Sequence, residues 1–300
     1  MAVLEAQLVA PVDTPADLEA ELAGLDALER EPAERRPLAG RIWSATWPKL
    51  AAIAIGIGAW QIVVWTGWRP EYVLPGPREV FSRFFSDLGQ GTTWEAIGTT
   101  MQRAATGFGM AVLIGTAIGL AVTRFRVLRS AIGSLITGIQ TMPSIAWFPL
   151  AMLLFQLSER AILFVVVIGA APAVANGVIS GVDHIPPLWL RAGRVLGARG
   201  LALYRHIVLP ALWPSFLLGL KQGWAFAWRS LMAGELLVII ANKPSIGSRL
   251  EFEQQFADSA GLISVMLIVL IIGILVDSLL FGTMDRGIRR RYGLVDAAAT

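Results

Sequence analysis

Five charged side chains interrupt long apolar stretches of this chain: Arg103, Lys221, Arg229, Glu235 and Asp277. A charge inside a membrane-length segment is costly and usually has a purpose. Arg229 stands beside Trp228, with Trp224 five residues before it and Glu235 six after it. A guanidinium can grip a planar or tetrahedral oxyanion through two parallel hydrogen bonds. Arg229, Trp224, Trp228 and Glu235 are therefore candidate pathway residues for a small anion. A structural ion pair between Arg229 and Glu235 is the competing reading. Lys221 is expected to reach the cytoplasmic interface with its long stem. Gln140, Pro143 and Ser144 break another apolar stretch. A Pro beside polar groups frees backbone carbonyls, which is tolerated where a helix lines a cavity, so these three join the candidate pathway.

A second constellation lies in RAGRVLGARGLALYRHIVLP, residues 191–210. Its cations, Arg191, Arg194, Arg199 and Arg205, keep the segment out of the bilayer. Gly197 permits a sharp turn or the close approach of a partner backbone. Leu209-Pro210 is expected to end the segment, because Pro is well placed at a helix start. A basic loop between spans, with no further role, is the plain alternative.

Other chemistries find no support. The chain has no Cys, which excludes disulfides and thiolate metal sites. Its two His, His184 and His206, both fall in or next to the basic loop, and no metal site is expected. Lys49, Lys221 and Lys243 are the lysines, and none follows a Gly. A phosphate-binding loop needs Gly-Lys-Ser/Thr, so no ATP site and no bound cofactor is expected in this chain. No nucleophile–base pair stands out, and no catalytic residue is assigned.

The elements that must carry these groups follow from composition. Of 300 residues, 55% are hydrophobic and 16% charged, and the mean hydropathy is +0.62. Soluble domains carry about a quarter charged residues. The chain therefore reads as an all-α polytopic membrane protein. A span needs about 20 mostly apolar residues, and six stretches qualify: 48–65, 97–122, 131–157, 161–182, 211–240 and 262–284. The third and fifth contain polar residues and Pro and are expected to bend or break. Gly115/Gly119, Gly177/Gly181 and Gly219/Gly223 have the spacing of close helix contacts. Residues 74–88 are too polar to span. Val80, Phe81, Phe84, Phe85 and Leu88 follow helical spacing there, giving an amphipathic helix that either lies on the outer interface or packs on the spans.

Arg and Lys counts in the connecting segments place both termini and the basic segment in the cytoplasm. Residues 1–40 carry a net charge of −6 against +3 for the whole chain. They form an acidic extension, residues 1–46, with no secretory signal expected. Thr14 is placed to cap a helix that has Pro15 at its first position. Leu18, Leu22, Leu25 and Leu28 make one apolar stripe on it that would pack on a partner such as a separate ATPase, although a disordered, solvated tail is the favoured reading of the composition. A permease domain is expected over 47–285, with the basic segment at 186–210, and a cytoplasmic tail over 286–300.

The basic segment resembles the coupling motif of ABC importer permeases: E-A-A, three residues, G, nine residues, I, x, L-P. Ala192, Gly197, Ile207, Leu209 and Pro210 match, while Arg191 and Gly193 replace the Glu and the second Ala. TMQRAATGFGMAVLIGTAIGL, QTMPSIAWFPLAMLLFQL and KQGWAFAWRSLMAGEL extend the likeness to permeases of the nitrate, sulfonate and taurine branch. The resemblance implies that Arg191, Ala192, Gly193, Leu196, Gly197, Ala198, Leu203, Ile207, Leu209 and Pro210 dock in a groove of a separate ATPase. It also implies a homodimer in the bacterial inner membrane with two ATPase subunits, which carry ATP and Mg, and an extracytoplasmic solute-binding protein. A small anion such as a sulfonate, taurine, nitrate or bicarbonate is the expected cargo. Nucleic acid is not an expected partner. An ion-gradient transporter using Asp277 and Glu235 is the leading alternative, and an integral-membrane enzyme the last.

Overall fold

The structure is a computed structural model that describes residues 38–291. The N-terminal stripe with its Thr14 cap, and most of the C-terminal tail, lie outside the described residues. Within them the chain is helical, with no strand. It divides into two compact units. The first covers residues 1–55 and 296–300 and the second Gly56–Val295. Of the first, residues 38–55 are described, and they are one run of helix.

Among the described residues ten helices follow in order. α1 is Leu38–Trp65, α2 is Pro77–Leu88 and α3 is Gly91–Arg124. α4 is Arg126–Thr141, and a tight turn, Ser144–Trp147, leads to α5, Phe148–Phe155. α6 is Glu159–Asp183 and α7 is Pro187–Val195. α8 is Leu201–Leu237, α9 is Ile246–Gln255 and α10 is Ser259–Arg291. Stretches of α1, α3, α6, α8 and α10 are long and apolar enough to cross a bilayer unbroken. The expected third span is broken: its two halves meet at 104°. The residues at the break are extended, Met142 at ψ 129° and Pro143 at ψ 127°, as a residue preceding Pro is driven to be.

The fifth expected span differs from the reading. Pro210 and Pro214 do not interrupt it, and the helix is continuous from Leu201. A π-turn at Tyr204–Val208 precedes Pro210, and Leu209 donates to the carbonyl of Tyr204. The register shift loosens the turn where a proline ring would otherwise meet the preceding backbone.

α6 is the centre of the second unit. Ala161, Ile162, Val165, Val166, Ala170, Ala173 and Val174 are buried on it, between α3 and α8. The spaced glycines lie at the crossings. A Cβ on Gly115 would lie 2.5 Å from the Ala171 carbonyl, and one on Gly119 2.7 Å from Val178 Cβ. One on Gly177 would stand 2.7 Å from the Cα of Gly219. These helices touch backbone to backbone, as small residues allow in a bilayer. α2 is packed against the spans: Val80, Phe84 and Asp87 are buried, Phe84 against Ile246, Val265 and Ile268, while Phe85 stays exposed.

On α2, Arg83 reaches Asp87 of the same helix and, across from it, Glu253 and Asp258 at 3.4–3.5 Å, and Arg249 reaches Asp87 at 3.6 Å. Ser264 donates to Asp87 at 2.7 Å. Burial pushes the Glu253 carboxyl above its ordinary range, Arg83 pulls it down, and Asp258 pushes it up again.

Candidate functional site

The basic segment is a helix and a reversal. α7 opens on Pro187, whose fixed φ suits a first turn. It closes in a Schellman motif. Ala198 N–H donates to the Gly193 carbonyl at 2.9 Å and Gly197 N–H to that of Arg194 at 3.1 Å. This places Gly197 at the left-handed position, with φ +87° and open space around it. The motif glycine thus serves the turn within this chain. A second positive φ, +53° at Gly200, turns the chain into α8.

Gly193, by contrast, is a contact glycine. It is buried, and a Cβ there would overlap the terminal methyl of Ile207 and lie 3.2 Å from a Leu203 methyl. Leu203 and Ile207 therefore face α7 and hold it to α8. Ile185, Val208 and Leu212 form a small core beneath the reversal. Leu209 and Pro210 lie on α8 beyond the π-turn, so they do not end the segment as expected. What the reversal turns outward is apolar: Val195 is 87% exposed, Leu196 86% and Leu201 83%. Leu188 and Trp189 are also exposed. Arg191, Arg194, Arg199 and Arg205 stand exposed around them, as does Ala192; Ala198 is half-buried. An apolar patch rimmed by guanidinium groups is the composition of a protein-binding surface.

The candidate pathway residues separate into two sets. Arg229 is exposed, eight residues from the end of α8, with its guanidinium 5.7 Å from the Phe226 ring centroid. No carboxylate lies within ion-pair distance of it among the described residues. The turn Ser144–Trp147 lies against α6 and α8, with Ser144 and Ser230 both beside Gly169. Pro143 is exposed at the break. Gln140 accepts a hydrogen bond of 2.6 Å from Asn176 on α6. Asn176 was not anticipated, although a lone amide in an apolar span is a signal for it.

Glu235 and Trp224 stand elsewhere. Glu235 is fully buried and pairs with Arg103 at 3.0 Å, not with Arg229, and lines no open surface. The reason is helical geometry: six residues on, it projects toward α3 while Arg229 projects away from it. Trp224 is 7% exposed, stacked on Trp228 at 6.0 Å and edge-on to Phe108 at 5.4 Å. It fills the core between α3 and α10, and Trp228 is half-buried beside it. Lys221 pairs with Asp277 at 3.2 Å, both side chains being about half exposed. Arg129 of α4 pairs with Asp183 at the end of α6.

Comparison with known proteins gives the family. Residues 111–290 match the family described as binding-protein-dependent transport system inner membrane component. The chain is 28% identical over 231 residues to a probable ABC transporter permease protein of Brucella melitensis, covering 77% of this chain and 92% of that one. It is 28% identical over 207 residues to the nitrate import permease protein NrtB of Leptolyngbya laminosa, covering 67% and 74%. It is 24% identical over 243 residues to the taurine transport system permease protein TauC of Escherichia coli, covering 77% and 87%. Its fold is similar to a chain of the MetNI methionine ABC transporter in an inward-facing conformation. There the TM-score is 0.57 at 15% identity, covering 66% of this chain and 96% of that one. The chain belongs to the binding-protein-dependent transport system inner membrane component family, and it is a membrane-embedded ABC transporter permease subunit.

Proposed function

We propose that this chain forms, as a homodimer, the translocation pathway of an importer for a small oxyanion or sulfonate, of the nitrate, bicarbonate or taurine kind. The observation that carries the reading is the outward patch of the reversal, Val195, Leu196 and Leu201 among four arginines. Such a surface at the cytoplasmic end has an ATPase subunit as its natural partner. Two such subunits bind ATP and Mg, and this chain itself hydrolyses nothing. A solute-binding protein delivers the anion from outside, and both termini are cytoplasmic.

The cargo reading rests on the named relatives and on Arg229. An exposed guanidinium at membrane depth cannot face acyl chains cheaply, so its open face belongs to a polar route or to the second copy. Closure of the ATPase dimer moves α7. Gly193, Leu203 and Ile207 pass that displacement to α8, and the Arg129–Asp183 pair passes it to α4 and the break at Pro143.

Reconstitution of the chain with its ATPase tests the reading. Uptake of labelled nitrate, bicarbonate and taurine into vesicles is measured with and without ATP and a substrate-loaded binding protein. ATP-dependent uptake of one anion is expected. Uptake that needs no ATPase and follows an imposed proton or sodium gradient overturns it.

A further inference from the structure

Glu235 is, like Asp87, a fully buried charge, and the transport reading does not use it. It is fully buried at the end of α8. Both of its oxygens accept hydrogen bonds. Arg103 Nη1 donates to Oε1 at 3.0 Å; Thr100 Oγ1 and the backbone N–H of Gly247 donate to Oε2 at 2.8 and 3.1 Å. Thr100 Oγ1 in turn accepts the Ile246 N–H at 3.0 Å. Both amides belong to the first turn of α9, where free N–H groups and the helix dipole favour a carboxylate. At Gly247 a Cβ would overlap the Glu235 side chain and lie 2.9 Å from its carbonyl carbon. One carboxylate therefore joins α3, α8 and α9.

A buried ion pair is a poor way to gain stability, since well-packed apolar groups of similar size do as well. Its use here is positional. Arg103 is 5% exposed and is shared: its Nη2 lies 3.4 Å from Glu159, which Lys243 also holds at 2.7 Å. Its Nε is buried with no partner. Arg103 thus keeps a second carboxylate if Glu235 lets go. Beneath α9 runs a groove of about 520 Å3, lined by Trp228, Met232, Ile246, Leu250, Gly273 and Asp277. α9 roofs it beside the tryptophan that neighbours Arg229.

We propose that Thr100, Arg103 and Glu235 are positioning residues for transport: they latch α9 across the bundle, and the latch opens when the permease turns outward. This rests on the ABC permease reading for its second half only.

The absence of cysteine allows a direct test in the full chain in nanodiscs. Ile246 is 2% exposed, so Ile246→Cys should react slowly with a bulky maleimide. Glu235→Gln and Thr100→Val, each added to it, should speed labelling by about tenfold or more, the worth of a charge-assisted hydrogen bond. Thr100→Ser, which keeps the hydroxyl, should stay within about twofold of the parent. If Glu235→Gln does not purify as a folded protein, Thr100→Val, of equal shape, carries the same expectation. Equal rates in the parent, Glu235→Gln and Thr100→Val overturn the latch. In the complex with its ATPase, a non-hydrolysable ATP analogue should raise labelling of the Ile246→Cys parent severalfold. An unchanged rate there makes α9 a fixed strap and overturns the transport role. Failure of the ATPase to bind counts against the permease reading, and the free-chain comparison still decides the latch.

Discussion

Arg229 and Gly193 show how a single side chain, or its lack, sets what the permease can do. Arg229 is unpaired among the described residues and stands on an open face of α8. If it meets the anion, Arg229→Lys keeps the charge and loses the two-pronged geometry. Transport should fall by about tenfold to a hundredfold, with assembly and basal ATPase unchanged. Because Glu235 pairs with Arg103 and not with Arg229, Glu235→Gln should lower the melting temperature where Arg229→Lys does not; parallel uptake and melting measurements separate the two. At Gly193 the Ile207 methyl fills the space where the usual motif has an alanine side chain. Gly193→Ala should cost about 1 kcal/mol by overpacking, and Ile207→Val in the same chain should return most of it. A double-mutant thermal cycle reads this coupling.

At the scale of elements, α6 comes closest to α3 and α8 at its glycine contacts. Gly219 makes this plain: a Cβ there lies 2.6 Å from the Cα of Gly177 and 3.1 Å from the Ala173 carbonyl, both on α6. Backbone cannot swing away as a side-chain tip can. Gly219→Ala should therefore force α6 and α8 apart and lower stability by about 1–3 kcal/mol, seen as a lower melting temperature in detergent. Gly197→Ala should act otherwise. Nothing crowds that site, so only the positive φ opposes the new side chain. The helix pattern was legible because apolar run length is a direct signal. The continuity of α8 through Pro210 was not, because a π-turn has no sequence signature as strong as the proline it accommodates.

Across the whole molecule, the folded state binds protons at Glu253 more readily than the unfolded chain, since burial raises its pKa. The sign follows: this group favours folding fully below its ordinary pKa near 4.5 and loses that contribution as pH rises through the raised value. At neutral pH its charge is held at a cost. Glu253→Gln should then be at least as stable as the parent at neutral pH, with the advantage shrinking as pH falls toward 4.5. Melting curves across that range check it; a constant difference at all pH would show that the carboxylate is not responsible.

What the amino-acid order determined by itself is the class of molecule. Long apolar runs read as spans, a cluster of four arginines stays out of the bilayer, and the Gly197–Ile207–Pro210 spacing marks the basic segment between two of them. Those are one-dimensional properties, carried by composition and local spacing. Partnership is different. Whether Glu235 faces Arg229 or Arg103, whether Trp224 lines a route or fills a core, and whether α2 rests on a surface or packs beneath one all depend on helix rotation. A rotation of 100° per residue changes every neighbour without changing the apolar count. Only the packing of α3, α6 and α8 through their glycines fixes that rotation. It buries one candidate carboxylate and leaves one candidate guanidinium open.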